Sequence, residues 1–409
     1  FFFQAEDGIR DKLVTGVQTC ALPILMAALA GCTRRPVQKI VPYVTNPSEI
    51  IPGQPNFYAS VDPATGYGLV LRCREGRPIK VDGNADHPIN RGALSAQGQA
   101  MIHDLYDPDR LRSPQISGAE VSWEDFDKQV MSALSSSKGD SWILTGTVMS
   151  PTLKKVISES GMRHVMLDSV SMDDVLDSQS QSYGTRAFPR YRFDRADYVL
   201  SLGADFLGTW GSSIEYTKQF ASKRRLADGK NTMSKLVVFE PIMTVTGQNA
   251  DVRFTVHPSD MLSVALAIAH EVAKLTGKNS EDLGSFSPAS VAQSAGLSAE
   301  AIHAVAKELV QYKGRGLVVA KDHGTKGLAL QNVVNFLNSA LANEGETLDG
   351  ISLQYQGSHA EFERLLNAAR TGAVKTLVIA DVNPAYHYSD TLKVKEALKK
   401  VPNLVYFGS

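Results

Sequence analysis

The chain has 409 residues, 43% of them apolar and 21% charged, enough to bury two or three ordinary cores and more than one compact domain needs. With 42 basic against 43 acidic side chains and a formal charge of −1, it carries no field of one sign to concentrate phosphate or anionic lipid, which argues against nucleic acid as a partner. Its three cysteines, Cys20, Cys32 and Cys73, form neither a CxxC pair nor a run of thiols, against both a disulfide framework and an iron–sulfur site built within the chain.

Residues 1–24, FFFQAEDGIRDKLVTGVQTCALPI, open on three phenylalanines, lack an initiator methionine and have no usable period. They resemble translated sequencing-adapter read-through and are expected to be non-native, so Cys20 says nothing about the fold. Residues 25–60 follow. LMAALAGC, ending in Leu29-Ala30-Gly31-Cys32, resembles a lipobox, which implies acylation of Cys32 and a place on the periplasmic side of a bacterial inner membrane. From Thr33 to Pro55 the chain is punctuated by Pro36, Pro42, Pro47, Pro52 and Pro55, as in a tether between an anchor and a folded body. No run of about 18 uncharged apolar residues exists, the best being Ala21 to Gly31, so no segment reads as a bilayer span.

A small β region is expected over 61–115. Leu69 to Arg74 and Pro78 to Val81 flank Glu75-Gly76 as a hairpin, and Gly83 to Arg112 reads as polar loop. Beyond it, over 116–409, Trp123 to Leu134 has helical spacing, and short apolar runs then alternate with helical segments. The runs are Trp142 to Thr145, His164 to Leu167, Tyr198 to Leu202, Leu236 to Phe239, Leu317 to Ala320, Leu377 to Ala380 and Leu404 to Phe407. Helices are expected at Met261 to Leu275, Ala301 to Gln311, Leu328 to Leu341 and His359 to Arg370. Continuous apolar strands separated by helices predict parallel sheets covered on both faces. The fold class is α/β, doubly wound, in two consecutive units.

Ligands of such sheets bind beyond the carboxyl ends of strands. Three loops carry suitable groups there: Gly203 and Asp205 after Tyr198 to Leu202, Glu240 after Leu236 to Phe239, and Asp381 and Asn383 after Leu377 to Ala380. Taken singly, each reads more readily as an ordinary turn than as a ligand site. His87 and His257, each before a proline, are expected in turns, and Cys73 inside a strand as a small buried hydrophobe.

Four phrases in order are more specific. Arg74 to Pro114 (REGRPIKVDGNADHPINRGALSAQGQAMIHDLYDPDRLRSP), Lys235 to His270 (KLVVFEPIMTVTGQNADVRFTVHPSDMLSVALAIAH), GTKGLALQNVVNFLNSALANEG and VIADVNPAYHYSD resemble the molybdopterin oxidoreductases. That resemblance covers the chain from about Gly68 on and implies a pterin guanine dinucleotide site, with Gly203, Asp205, Glu240, Asp381 and Asn383 at nucleotide positions. In the family's RGxLCxKG phrase, however, Ser95 stands for the cluster cysteine and Gln97 for the lysine between cluster and pterin, and Asn56 to Leu71 holds no cysteine. Ile242 stands where an Asp-Pro-Arg arginine would face a phosphate. No molybdenum-ligand cysteine is found, a serine between Ser169 and Ser182 being the open alternative.

With the lipobox and VQKIVPYVTNPSEIIPGQPNFYAS, the chain resembles the large iron–sulfur subunit of alternative complex III, a quinol to cytochrome c oxidoreductase. The resemblance implies an empty pterin-like domain, no cofactor in this chain, clusters in a C-terminal ferredoxin-like domain beyond it, and cytochrome c and quinol-oxidising membrane subunits as partners. The expected function is a non-catalytic scaffold. Two alternatives stay open: a true molybdopterin-dependent oxidoreductase of polysulfide or tetrathionate reductase type, which would bind the guanine dinucleotide, and a structural interaction module.

Overall fold

The structure, a computed structural model, describes residues 48, 50, 51, 53–226, 229, 231–279, 281–388 and 392–408. The chain divides into Phe1–Gln54 and Pro55–Ser409. In the first, Gln54 N–H donates to Ile51 O at 3.0 Å. The expected read-through, Cys32 and most of the tether lie outside the described residues. Everything below concerns the second unit.

An antiparallel sheet leads, with β1 (Asn56–Val61), β2 (Gly68–Arg74) and β3 (Arg77–Gly83) in that order. The expected hairpin turn is there: Glu75 and Gly76 both adopt positive φ, 50° and 77°, the pattern of a two-residue turn whose twist matches its strands. Cys73 is buried in β2, as expected. The phrase NADHPINRG acts as a clamp. Fully buried Asn90 donates from Nδ2 to Gly68 O (2.9 Å) and Ala93 O (2.7 Å), and its Oδ1 accepts from Gly68 N (3.0 Å). His87 packs across the open face of Gly68, where a Cβ would lie 2.5 Å from the ring.

One expectation fails here. Within Gly83 to Arg112, read as loop, Ala96–Tyr106 is a helix packed on β3. Ser95 caps it, its Oγ accepting from Gly98 N at 2.9 Å, the short-range bond that lets a polar stretch start a helix. A small ribbon, β4 (Gln115–Ile116) with β5 (Ala119–Glu120), leads into the helix Trp123–Ser136.

Two parallel four-stranded sheets follow. One has the order β15 (Asn403–Phe407), β14 (Thr376–Ala380), β6 (Ser141–Thr145), β7 (Arg163–Met166). The other has β11 (Val252–Thr255), β10 (Lys235–Glu240), β9 (Tyr198–Leu202), β12 (Gly316–Ala320). Each expected apolar run is a strand, to within a residue at either end. The residues alternate as a pleated strand requires. Leu200, Leu202, Val237, Phe239, Val318 and Ala320 face the helices Met261–Thr276, Ala299–Gln311 and Gly327–Ala340. Val199, Leu236, Val238, Leu317 and Val319 face an aromatic core with Phe193, Phe206 and Trp210. Burial on both faces is why these strands read as unbroken apolar runs.

The units are not consecutive, however. β14 returns to pair with β6, Thr376 opposite Ser141, so the second sheet is inserted between the halves of the first. An antiparallel pair, β8 (Phe188–Tyr191) with β13 (Leu348–Ser352), brackets that insertion. Apolar periodicity specifies a strand and its buried faces, not its hydrogen-bonded neighbour. Among the described residues no helix is long and apolar enough to cross a membrane.

Candidate functional site

Gly203, Asp205 and Glu240 gather at the carboxyl ends of β9 and β10. Gly203 has φ +78°, and its N–H donates to Phe239 O at 2.7 Å. A Cβ there would lie 2.5 Å from Lys321 O, so the position needs glycine for sheet closure alone. Asp205 Oδ1 accepts from Thr246 N (3.0 Å) and Thr246 Oγ1 (2.8 Å), and Oδ2 from Thr209 N (3.1 Å). Glu240, 2% exposed, accepts from Arg253 Nε (2.5 Å) and Thr244 Oγ1 (2.6 Å). Gly247 lies so close that its Cβ would fall 1.7 Å from Glu240 Oε1. Both carboxylates therefore tie down the turn 244–247.

Arg253, on β11, is the cation that sequence reading overlooked; its position on the neighbouring parallel strand was the available signal. Exposed Ile242 adds no charge. His257 occupies a turn, as expected, its ring accepting from Ser259 N at 3.3 Å. In the other sheet, Asp381 follows β14 with φ +55° and donates its N–H to Phe407 O (3.1 Å). Asn383 caps the turn Pro384–His387, accepting from Tyr386 N at 3.2 Å. These two are exposed and stand in the other sheet from Gly203, Asp205 and Glu240.

The Ser95 phrase borders a different concave region. A cleft of about 240 Å³ is lined by Thr65 and Tyr67 of the leading region, Ser95 and Gln97, Thr147 and Asp168 beyond β6 and β7, the loop 211–214 beyond β9, and Gln354 and Tyr355 beyond β13. Parts of both sheets thus meet the Ser95 phrase, as ligand sites at strand carboxyl ends do. Its polar groups are largely paired with one another. Asp168 Oδ1 accepts from Thr147 Oγ1 (2.7 Å) and Oδ2 from Gly357 N (2.8 Å). Gln354 Nε2 donates to Thr65 O (2.6 Å), its Oε1 accepts from Ser212 Oγ, and Tyr355 OH donates to Gly211 O (2.8 Å). Burial pushes the Tyr67 hydroxyl up to about 12, against the opposing hydrogen bond from Gln354. Burial likewise raises the Glu215 carboxyl above the usual range, opposed by Arg190 and Arg192. Among the described residues the lining holds hydroxyls, amides and one carboxylate, with no cation.

No family model matches the chain. It is 25% identical over 388 residues to the menaquinone reductase, molybdopterin-binding-like subunit, of Nitratidesulfovibrio vulgaris, covering 84% of this chain and 54% of that one. A sulfite dehydrogenase subunit of Allochromatium vinosum is 23% identical over 50% of this chain and 22% of its own length. Nitrate reductase of Shewanella frigidimarina is 22% identical over 44% and 20%. Among solved structures, acetylene hydratase from Pelobacter acetylenicus superposes with a TM-score of 0.61 at 12% identity, over 86% of this chain and 58% of that one. The fold is that of the molybdopterin oxidoreductases. The relatives are molybdopterin-binding oxidoreductase subunits, and the chain spans about half the length of the first of them.

Ser95 and Gln97, which the sequence resemblance sets at the cluster-cysteine and lysine positions, stand on the cleft wall. A four-iron cluster does not fit the donors here. Ser95 Oγ is engaged in the helix cap, Cys73 is buried in a strand, and among the described residues no three His, Cys, Asp or Glu side chains are grouped to hold a metal; such clusters need four thiolates. Anaerobic reconstitution of the full chain is expected to leave absorbance at about 400 nm, where thiolate-to-iron charge transfer falls, at baseline. A stoichiometric cluster would refute this reading. The lining of this cleft offers no cation to a pyrophosphate.

Proposed function

We propose that this chain is a non-catalytic scaffold, the molybdopterin-oxidoreductase-like part of a quinone-linked respiratory electron-transfer subunit. One observation carries the reading: three of the polar groups that the resemblance puts at cofactor positions, Glu240, Asp205 and Ser95, are engaged within the protein. Glu240 is neutralised by Arg253, Asp205 is absorbed by Thr246 and Thr209, and Ser95 is a helix cap. A scaffold keeps such groups because they hold loops; a pterin enzyme would need them free in the cleft.

The similarity to a subunit named menaquinone reductase, molybdopterin-binding-like, supports a membrane-bound quinone-reactive partner. The phrase after Cys32 favours the alternative complex III arrangement, with electrons passing from quinol to cytochrome c through clusters outside these residues. On this reading the protein is exported and anchored through Cys32.

Elemental analysis of the native complex, captured through this chain, tests the proposal. Molybdenum and tungsten are expected far below one per chain, together with co-purification of a cytochrome and a membrane subunit. A near-stoichiometric metal that is lost with quinone-linked activity would replace the scaffold by a pterin enzyme.

A further inference from the structure

The near-zero net charge conceals a local arrangement on the leading sheet. Register places Phe57, Arg72 and Lys80 side by side across β1, β2 and β3, and Arg74 opposite Arg77 at the hairpin end. Side chains directly opposite share a face. Val61 lies on the same face, two pleats along β1 from Phe57. All six residues are exposed, Phe57 by 61% and Val61 by 54%.

Two of the cross-strand pairs, Arg72 with Lys80 and Arg74 with Arg77, oppose like charges, which costs stability in a sheet. Little within the fold offsets this. Lys80 pairs with Asp82 at 2.7 Å and Glu75 sits in the turn, while among the described residues no ion pair engages Arg72, Arg74 or Arg77. An external anion would relieve the repulsion.

We propose that this face is a contact surface for an anionic phospholipid bilayer. Charge complementarity and the interleaved apolar residues favour that occupant. Phosphate headgroups answer the guanidinium and ammonium groups, and Phe57 and Val61, standing on an open face, need only a shallow apolar interface. The surface is independent of the scaffold reading, and it would orient the body on the membrane whatever anchors it.

The test uses the full chain carrying Cys32→Ser, so that no acyl chain contributes, with vesicles of phosphatidylcholine alone or mixed with phosphatidylglycerol. Sedimentation should show binding to the mixed vesicles only, weakening as salt rises. The triple variant R72Q/R74Q/K80Q should reduce it at least about tenfold, since each cation near an anionic surface contributes about 1 kcal/mol. Its thermal midpoint should not fall, because the substitutions remove repulsion. K155Q/K307Q/K395Q, which removes three exposed charges elsewhere, should bind like the parent. Absent binding, equal binding to both vesicle types, or an unchanged affinity in R72Q/R74Q/K80Q would overturn the proposal.

Discussion

Glu240→Ala is expected to cost about 3–5 kcal/mol of stability, the loss seen when one partner of a buried ion pair is removed. Glu240 is 2% exposed and the Arg253 side chain 23%, so the truncation strands a guanidinium largely out of water. It also frees Thr244 Oγ1 and both backbone and side chain of the turn that the carboxylate holds. Glu240→Gln keeps the acceptor oxygen but not the charge, and the loss should be smaller. Replacing both partners by apolar residues, E240M/R253L, should recover a good part of the loss, because no charge is then left unpaired. Gly247→Ala should resemble Glu240→Ala, since its methyl cannot coexist with the carboxylate at 1.7 Å. Urea midpoints at unchanged slope measure this. A Glu240→Ala loss below about 1 kcal/mol, the range of exposed pairs, would mean that the pair is not buried in solution.

Asn90→Ala should act locally but strongly. It orphans the buried Gly68 N–H and the part-buried Ala93 C=O, whereas Gly68 C=O keeps its bond from Asn84 N at 2.8 Å. At about 1–3 kcal/mol for each unsatisfied buried group, the loss should reach about 2 kcal/mol or more. Because Asn90 clamps the leading sheet to the segment carrying Ser95, amide exchange is expected to accelerate over β1 to β3 and Ala96–Tyr106. The strands β9, β10 and β12, with their independent core, should keep their protection. Uniform acceleration across the chain would show that the leading region does not open as a separate unit.

The amino-acid sequence by itself determined the strands and the larger helices, and through four ordered phrases the fold. Runs such as Tyr198 to Leu202 and Leu317 to Ala320 are apolar on both pleat faces, a property readable in five residues. Glu75-Gly76 specified its own turn for the same local reason. Only the tertiary structure decided what depends on residues distant in sequence. It joined β14 to β6, nesting one sheet within the other, and it brought Ser95 and Gln97 to the cleft with Asp168 and Gln354. Glu240 could be read as an acid at a strand end, but whether it would face a ligand depended on Arg253, delivered by the adjacent parallel strand. Arg72, Lys80, Arg74 and Arg77 likewise balance out in a total charge of −1, and antiparallel pairing is what sets them on one face. Periodicity and capping are short-range and leave their mark in the sequence; strand partnership, charge pairing and surface clustering arise only when the chain closes on itself.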